Sequence, residues 1–249
     1  FDALTGNLLQ ETDWGEDASL VSEADNKVRV VSYAENITDD EWLTSYVEEE
    51  SVRIGSVGSG TLASRVRAHY DVEAFTAGAI TTPVPCLGSQ TGCGARRRFV
   101  ETLRNGSQGP EVWAVERYDY DAFGNPVAFY DARAVAAGSA AATRQTEYDG
   151  VYHSFPVRVT NALGESRWQR SDPGTGAVTR RLSAGGHLRC SSFDSFGRLQ
   201  EELDHGVAVQ PGAIDGTACN TPLVTYSYLD TGDPEHQRIL TTEWAGSVP

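Results

Sequence analysis

The side chains best able to do chemistry in this 249-residue chain are five histidines, four cysteines and 35 carboxylates, and their spacing decides what they can build. His69, His153, His187, His205 and His236 show neither an HExxH pair nor paired Cys/His spacing, so no zinc site is expected. His187 stands three residues before Cys190, but on a strand an odd offset sends two side chains to opposite faces. The histidines are read as surface or turn residues. The runs Glu48, Glu49, Glu50 and Asp39, Asp40 read as solvated, and nothing selects from them a general acid and a base. Aspartate-rich turns offer oxygen ligands, yet there is no twelve-residue calcium loop. The glycines of "GSVGSG" (Gly55 to Gly60) lack the lysine and the strand-to-helix setting that phosphate binding requires, and there is no GxSxG elbow. No catalytic residue, metal ligand or cofactor is nominated.

Cys86 and Cys93 enclose six residues in a Pro/Gly-rich loop, too many for a redox CxxC pair. A small loop-closing disulfide fits there if the compartment is oxidising. Cys190 and Cys219 are able to pair across an insertion, but four cysteines allow three pairings and the sequence does not choose among them. The net charge of −15 argues against a nucleic-acid partner, which needs clustered cations to displace counterions. Arg96, Arg97 and Arg98 are read as the rim of a strand or loop. No apolar run approaches the roughly 18 residues of a membrane span, and no basic-then-apolar leader is present in this stretch. The chain has no methionine and opens on "FDALTGN", already within a turn, so it reads as an internal stretch of a longer polypeptide.

What must position such residues is a repeat. Asp121, Asp149, Asp172 and Asp194 lie 28, 23 and 22 residues apart, with Gly164, Gly186 and Gly206 interleaved. Each unit carries two short segments rich in Val, Thr, Leu, Tyr and Phe, separated by turn residues, as in "YDAFGNPVAFYD" and "FDSFGRLQEELDHG". Asp121 and Asp194 are placed to accept bonds from backbone amides two residues on, while Gly124 and Gly197 adopt the positive φ that other residues avoid. In "FPVRVTN", Phe155, Val157 and Val159 alternate with Arg158 and Thr160, the pattern of a strand. A period near 22 is one β-hairpin. Lone hairpins are barely stable, so they must stack edge to edge. The expected fold is all-β, stacked β-hairpins forming a curved antiparallel spiral sheet, with Tyr120, Tyr148 and Phe193 as a ladder of aromatics beside the aspartates.

These segments, with "TEYDGVYHSFPVRVTNALGE", "YSYLDTGDPEHQRILTT" and "FDALTGNLLQETDWG", resemble the YD repeats of RHS proteins, found in Tc insecticidal toxin shells, bacterial polymorphic toxins and teneurins. The resemblance covers Tyr118 to about Trp244 well and Phe1 to Asp71 less closely; it lapses between Phe75 and Pro110. Two departures stand out. Ser171 replaces the aromatic before Asp172, which predicts a weaker turn, and 207–222 interrupts the period as a loop. "SDPGTG", around Asp172, resembles the Asp-Pro cleavage motif of toxin shells but sits in mid-repeat and is read as a turn.

Three segments are expected: YD-repeat-like hairpins over 1–75, an irregular insertion over 76–117 containing Cys86 and Cys93, and YD repeats over 118–249. Within the first, "KVRVVSYAEN" reads as a strand, Thr38 and Glu41 as a capping box opening a short helical turn near Asp39, and Trp42 and Leu43 as core plugs. "TSYVEEESVRI" and "TLASRVRAHYD" read as strands joined by the glycine-rich link. The resemblance implies a non-enzymatic, secreted or cell-surface bacterial shell segment. Its partners are the rest of its own longer chain, an enclosed C-terminal toxin or effector passenger and other toxin-complex subunits. The alternative is a surface or secreted module that binds carbohydrate or protein through exposed aromatics.

Overall fold

A computed structural model describes residues 1–14, 26–37, 42–56, 58–70, 96–106, 109–229 and 237–244. The chain divides into two units, Phe1–Thr143 and Arg144–Pro249. Both are all-β, and in both each strand pairs antiparallel with its sequence neighbour, as hairpins stacked edge to edge must. The first unit holds β1 (Gln10–Asp13), β2 (Lys27–Ile37), β3 (Trp42–Ile54), β4 (Thr61–Tyr70), β5 (Arg97–Leu103), β6 (Trp113–Tyr120) and β7 (Pro126–Tyr130), followed by the single-turn helix α1 (Ala132–Ala136).

Strict alternation makes β5 a strand: Phe99, Glu101 and Leu103 are buried while Arg98, Val100 and Thr102 are less so. Register then builds a row of matched charge across the unit. Glu49 on β3 faces Arg67 on β4, Arg67 faces Glu101 on β5, and Glu101 faces Val115 on β6. Arg67 donates to Glu49 at 2.6 Å and lies over the Trp113 ring at 4.5 Å, and Arg29 grips Glu50 through two bonds of 2.9 Å. Glu49 and Glu50 are therefore strand residues paired with arginines, not part of a solvated run, because neighbouring strands supply the cations. His69 is likewise no surface residue: it is 4% exposed and bonds Glu101, 0% exposed, at 3.1 Å. The stretch expected to be irregular over 76–117 carries β5 and β6 from Arg97 onward, since "RRFVETL" alternates and pairs on both sides. Cys86 and Cys93 lie outside the described residues, as does the segment 38–41 read as a helical turn. The Thr61 strand follows the link as expected. Gly60 is required there by close approach rather than by φ, for a Cβ would fall 2.7 Å from the Ile54 carbonyl oxygen.

The second unit holds β8 (Arg144–Tyr148), β9 (Pro156–Asn161), β10 (Ser166–Ser171), β11 (Val178–Leu182), β12 (Leu188–Phe193), β13 (Leu199–Asp204), β14 (Thr221–Leu229) and β15 (Arg238–Glu243). Its core comes from the segment that breaks the repeat. Between β13 and β14 the chain leaves the sheet, forms a 3-10 turn at Pro211–Ala213 and lays Val209 and Ile214 over Leu182 and Leu188. Leu188, Leu182 and Ile214 are at most 1% exposed. Arg180 holds the loop by donating to the carbonyls of Ile214 (2.7 Å) and Thr217 (2.6 Å), and Arg170 grips Asp215 at 2.8 and 3.0 Å. Cys190 of β12 and Cys219 at the end of the loop form a disulfide across the insertion, a pairing that the sequence left open.

The disulfide closes a separation of 29 residues. Loop-closure entropy removed from the unfolded chain gives about 3–4 kcal/mol for a ring of that size. Cys190→Ser/Cys219→Ser is expected to lower unfolding free energy in urea by that amount. No change in the double variant would mean that the arginine contacts and the apolar cluster hold the loop without the disulfide.

Candidate functional site

The aspartates picked out by their spacing sit at hairpin turns: Asp121 between β6 and β7, Asp149 between β8 and β9, Asp172 between β10 and β11, and Asp194 between β12 and β13. Each turn is organised by one carboxylate. Asp121 accepts the amides of Phe123 and Asn125, both at 2.9 Å, and Asp194 accepts those of Phe196 and Arg198, again at 2.9 Å. Gly124 (φ 90°) and Gly197 (φ 76°) turn the chain by the left-handed conformation. Asp149 serves a longer turn and takes four amides, from Val151, Tyr152, Ser154 and Phe155. His153 there has φ 54°.

Asp172 was expected to make a weaker turn for want of an aromatic. The turn is fully bonded: Asp172 accepts the amides of Gly174 (3.0 Å) and Thr175 (2.9 Å) and the Thr175 hydroxyl (3.0 Å). Asp2 makes the same set with Leu4 and Thr5. "DALTGN" and "DPGTGA" are one turn type, in which a threonine hydroxyl, not the preceding aromatic, supplies the extra bond.

Spacing missed two features. One is a β-bulge at the residue before each aspartate: the register shifts at Asp119/Tyr120, Glu147/Tyr148, Arg170/Ser171 and Ser192/Phe193. A bulge adds twist at that end of each hairpin. The other is the opposite row of turns in the second unit. Asn161 accepts the amides of Leu163 and Glu165, both at 3.0 Å, and Ser183 accepts that of His187 at 3.1 Å. "NALGE" and "SAGGH" repeat the D-x-x-G frame with another oxygen in first place, and Gly164 and Gly186 have φ of 80° and 83°. Nothing in an aspartate search would find them, but the shared glycine offset would.

The aromatics beside the aspartates do separate work. Tyr120 donates its hydroxyl to the Arg97 carbonyl on the preceding strand at 2.9 Å. Tyr70 does the same to Val47 at 3.0 Å and Tyr228 to Leu199 at 2.8 Å, so each ties a strand to its predecessor. Tyr148 and Phe193 are half-buried in β8 and β12. Within the second unit the turns at Asp149, Asp172 and Asp194 stand at the ends of successive hairpins. Among the described residues no group of three or more His, Cys, Asp or Glu is placed to hold a metal ion. A cleft of about 520 Å³ in the first unit, lined by Arg98, Arg117, Asp119 and Tyr130, has its cations already leaning on Asp119.

The turn carboxylates are held below their usual range. For Asp149 the Phe155 amide leads, for Asp172 and Asp2 the Thr175 and Thr5 amides. At Asp121 and Asp194 partial withdrawal from water opposes the shift, and hydrogen bonds from Asn125 and Arg198 overcome it. Arg29 lowers Glu50 similarly. A group depressed on folding contributes stability above its unfolded pKa and loses it as pH falls through the folded value, here below about pH 4. Glu48 has the opposite sign: burial, then the neighbouring Glu49, raises it, so its contribution weakens as pH rises above its ordinary 4.5. Melting temperature is expected to fall steeply on acidification below about pH 4 and to vary little from 5 to 7. Asp149→Asn, which keeps an acceptor oxygen as Asn161 does, is expected to flatten the acid limb. An acid limb as steep in that variant would detach it from this carboxylate.

No family model matches the chain, and no curated protein matches it. Solved structures do. The crystal structure of TcdB2-TccC3 aligns at TM-score 0.50 and 13% identity over 82% of this chain. The chain has the fold of the TcdB2-TccC3 structures. The TcdB2-TccC3-TEV crystal structure aligns at TM-score 0.51, and TcdB2-TccC3 without its hypervariable C-terminal region at 0.50, each at 13% identity. The chain spans 13% of the TcdB2-TccC3 chain that it matches. The likeness to an RHS/YD-repeat shell read from the sequence is thus also a likeness of fold to TcdB2-TccC3, carried by stacked antiparallel hairpins.

Proposed function

We propose that this chain is a structural segment of an RHS/YD-repeat shell that encloses a C-terminal toxin or effector passenger of the same longer polypeptide. The observation that carries this reading is the correspondence of 82% of the chain to 13% of a TcdB2-TccC3 chain. A piece so placed adds hairpins to a longer array. The mechanism lies in geometry: a wall of paired strands separates a passenger from proteases and host until release. One TcdB2-TccC3 structure was solved without a hypervariable C-terminal region, which supports a variable passenger at that end in a protein of this fold. The role is non-enzymatic and needs no cofactor. Its setting is secreted or cell-surface, and its partners are the adjoining chain and other toxin-complex subunits. Among the described residues no helix is long and apolar enough to cross a membrane, which says nothing of strands.

The exposed aromatics at the turn tips, Phe123, Tyr152 and Phe196, favour a second reading as a carbohydrate- or protein-binding module. Intact mass of the native polypeptide before and after limited proteolysis separates the two. A much larger parent that leaves a protected C-terminal fragment supports the shell. A stable species near the 26.9 kDa of this chain, with nothing enclosed, supports the module.

A further inference from the structure

The face of the second unit away from the disulfide-held loop carries a charge arrangement that folding does not require. Leu182 and Leu188 point toward the loop, so their strand neighbours Arg181 and Arg189 point to the other face. Register sets Gln169 opposite Arg181, Arg181 directly opposite Arg189, and Arg189 opposite Asp204. Arg167, two residues before Gln169 on β10, shares that face. Arg167, Arg181 and Arg189 are all exposed, and among the described residues none of their guanidinium groups has a hydrogen-bond or ion-pair partner. Like charges directly opposite across a ladder destabilise it. Here the pair persists in a chain of net charge −15, where carboxylates to relieve it are abundant.

The acidic neighbours define the occupant. Beyond Arg189 the same face continues into Asp204 and Glu202 on β13, the latter opposite Ser191. Crossing the strands, the face reads three arginines and then two acids. We infer that this face docks an extended polypeptide segment whose carboxylates lie over Arg167, Arg181 and Arg189 and whose next residues supply a lysine or arginine to Asp204 and Glu202. Strands are spaced about 4.8 Å apart and side chains on one face of an extended chain about 6.6 Å apart, a difference that long arginine side chains span, so the four facing side chains take about seven residues. Guanidinium favours carboxylate through paired N–H donors. A nucleic-acid strand has no cation for β13 and meets the acidic remainder of the protein.

The test uses fluorescence anisotropy of the intact chain with a fluorescein-labelled (Glu-Ala)4-(Lys-Ala)2 peptide, alongside labelled oligothymidylate of equal negative charge. Arg181→Gln/Arg189→Gln is expected to weaken peptide binding by about tenfold, and Arg167→Gln alone by about threefold, while Arg104→Gln on the first unit changes nothing. Removing the facing like charges is expected to leave the melting temperature equal or higher, which separates lost docking from lost folding. Oligothymidylate is expected to bind at least tenfold more weakly than the peptide. Peptide affinity unchanged in the double variant and in Arg167→Gln, undetectable binding by the parent, or oligothymidylate binding as tight as the peptide would each overturn the inference.

Discussion

Leu188→Ala is expected to destabilise the second unit by about 2–5 kcal/mol, among the largest losses available to a single substitution here. Leu188 is 0% exposed and packs with Leu182, Val209, Ile214 and Cys219, the cluster that joins the sheet to the loop. Its backbone works in the same place: the Leu188 carbonyl accepts the His205 amide at 3.1 Å, where the chain leaves β13 for the loop. Truncation thus opens a cavity at the centre of the contact between sheet and loop. Urea denaturation followed by tryptophan fluorescence reads the effect through Trp168, which packs against the cluster. Leu188→Met, nearly equal in volume, is expected to cost less than about 1.5 kcal/mol. Phe196→Ala, at a turn tip 80% exposed, is expected to cost less than about 0.5 kcal/mol. A loss of that small size at Leu188 would mean that the loop does not seat on the sheet as described.

The hairpin architecture was legible because its determinants are local. An oxygen-bearing residue, a glycine three or four places later (the next residue in the longer Asp149 turn) and alternating strands on either side are all written within a dozen residues, so Asp121, Asp149, Asp172 and Asp194 could be placed by spacing. What escaped was set across strands. The partners of Glu49 and Glu50 are Arg67 and Arg29, 18 and 21 residues away, so a local reading saw three adjacent glutamates and took them as solvated. His69 looked like a surface residue for the same reason, since Glu101 lies 32 residues on. The strands after residue 96 were missed because β5 opens on two arginines, whose charge hides the alternation that Phe99 and Leu103 carry. The loop before β14 read as a plain interruption, and its two core residues, Val209 and Ile214, stand five apart, a spacing that signals neither strand nor helix. The turns at Asn161 and Ser183 were hidden by a search for aspartate, although their glycines were noted.

Glu101→Ala is expected to be the costliest change in the first unit, about 3–5 kcal/mol, because it breaks a buried polar network instead of deleting an apolar contact. Glu101 is 0% exposed between Arg67 on β4 and Val115 on β6, and it bonds His69 Nε2 at 3.1 Å. Arg67 is itself 8% exposed, with Nη1 buried and unpartnered, so it depends on Glu49 and Glu101 for compensation in a region that water does not reach. Removing Glu101 takes from Arg67 the acid directly opposite it across the ladder and from His69 its Nε2 partner. Glu101→Gln keeps an acceptor for His69 and the volume of the side chain, so its cost is expected to be smaller, about 1–3 kcal/mol, representing mainly the lost charge beside Arg67. His69→Leu in the Glu101→Leu background is the instructive third variant. Replacing both partners of a buried polar pair with apolar groups of similar size is often close to neutral, so it is expected to recover most of the loss. Recovery measured in urea would place the energy of this cluster in mutual satisfaction of buried groups. A double variant as unstable as Glu101→Ala would instead assign Glu101 chiefly to neutralising Arg67, with the histidine a bystander.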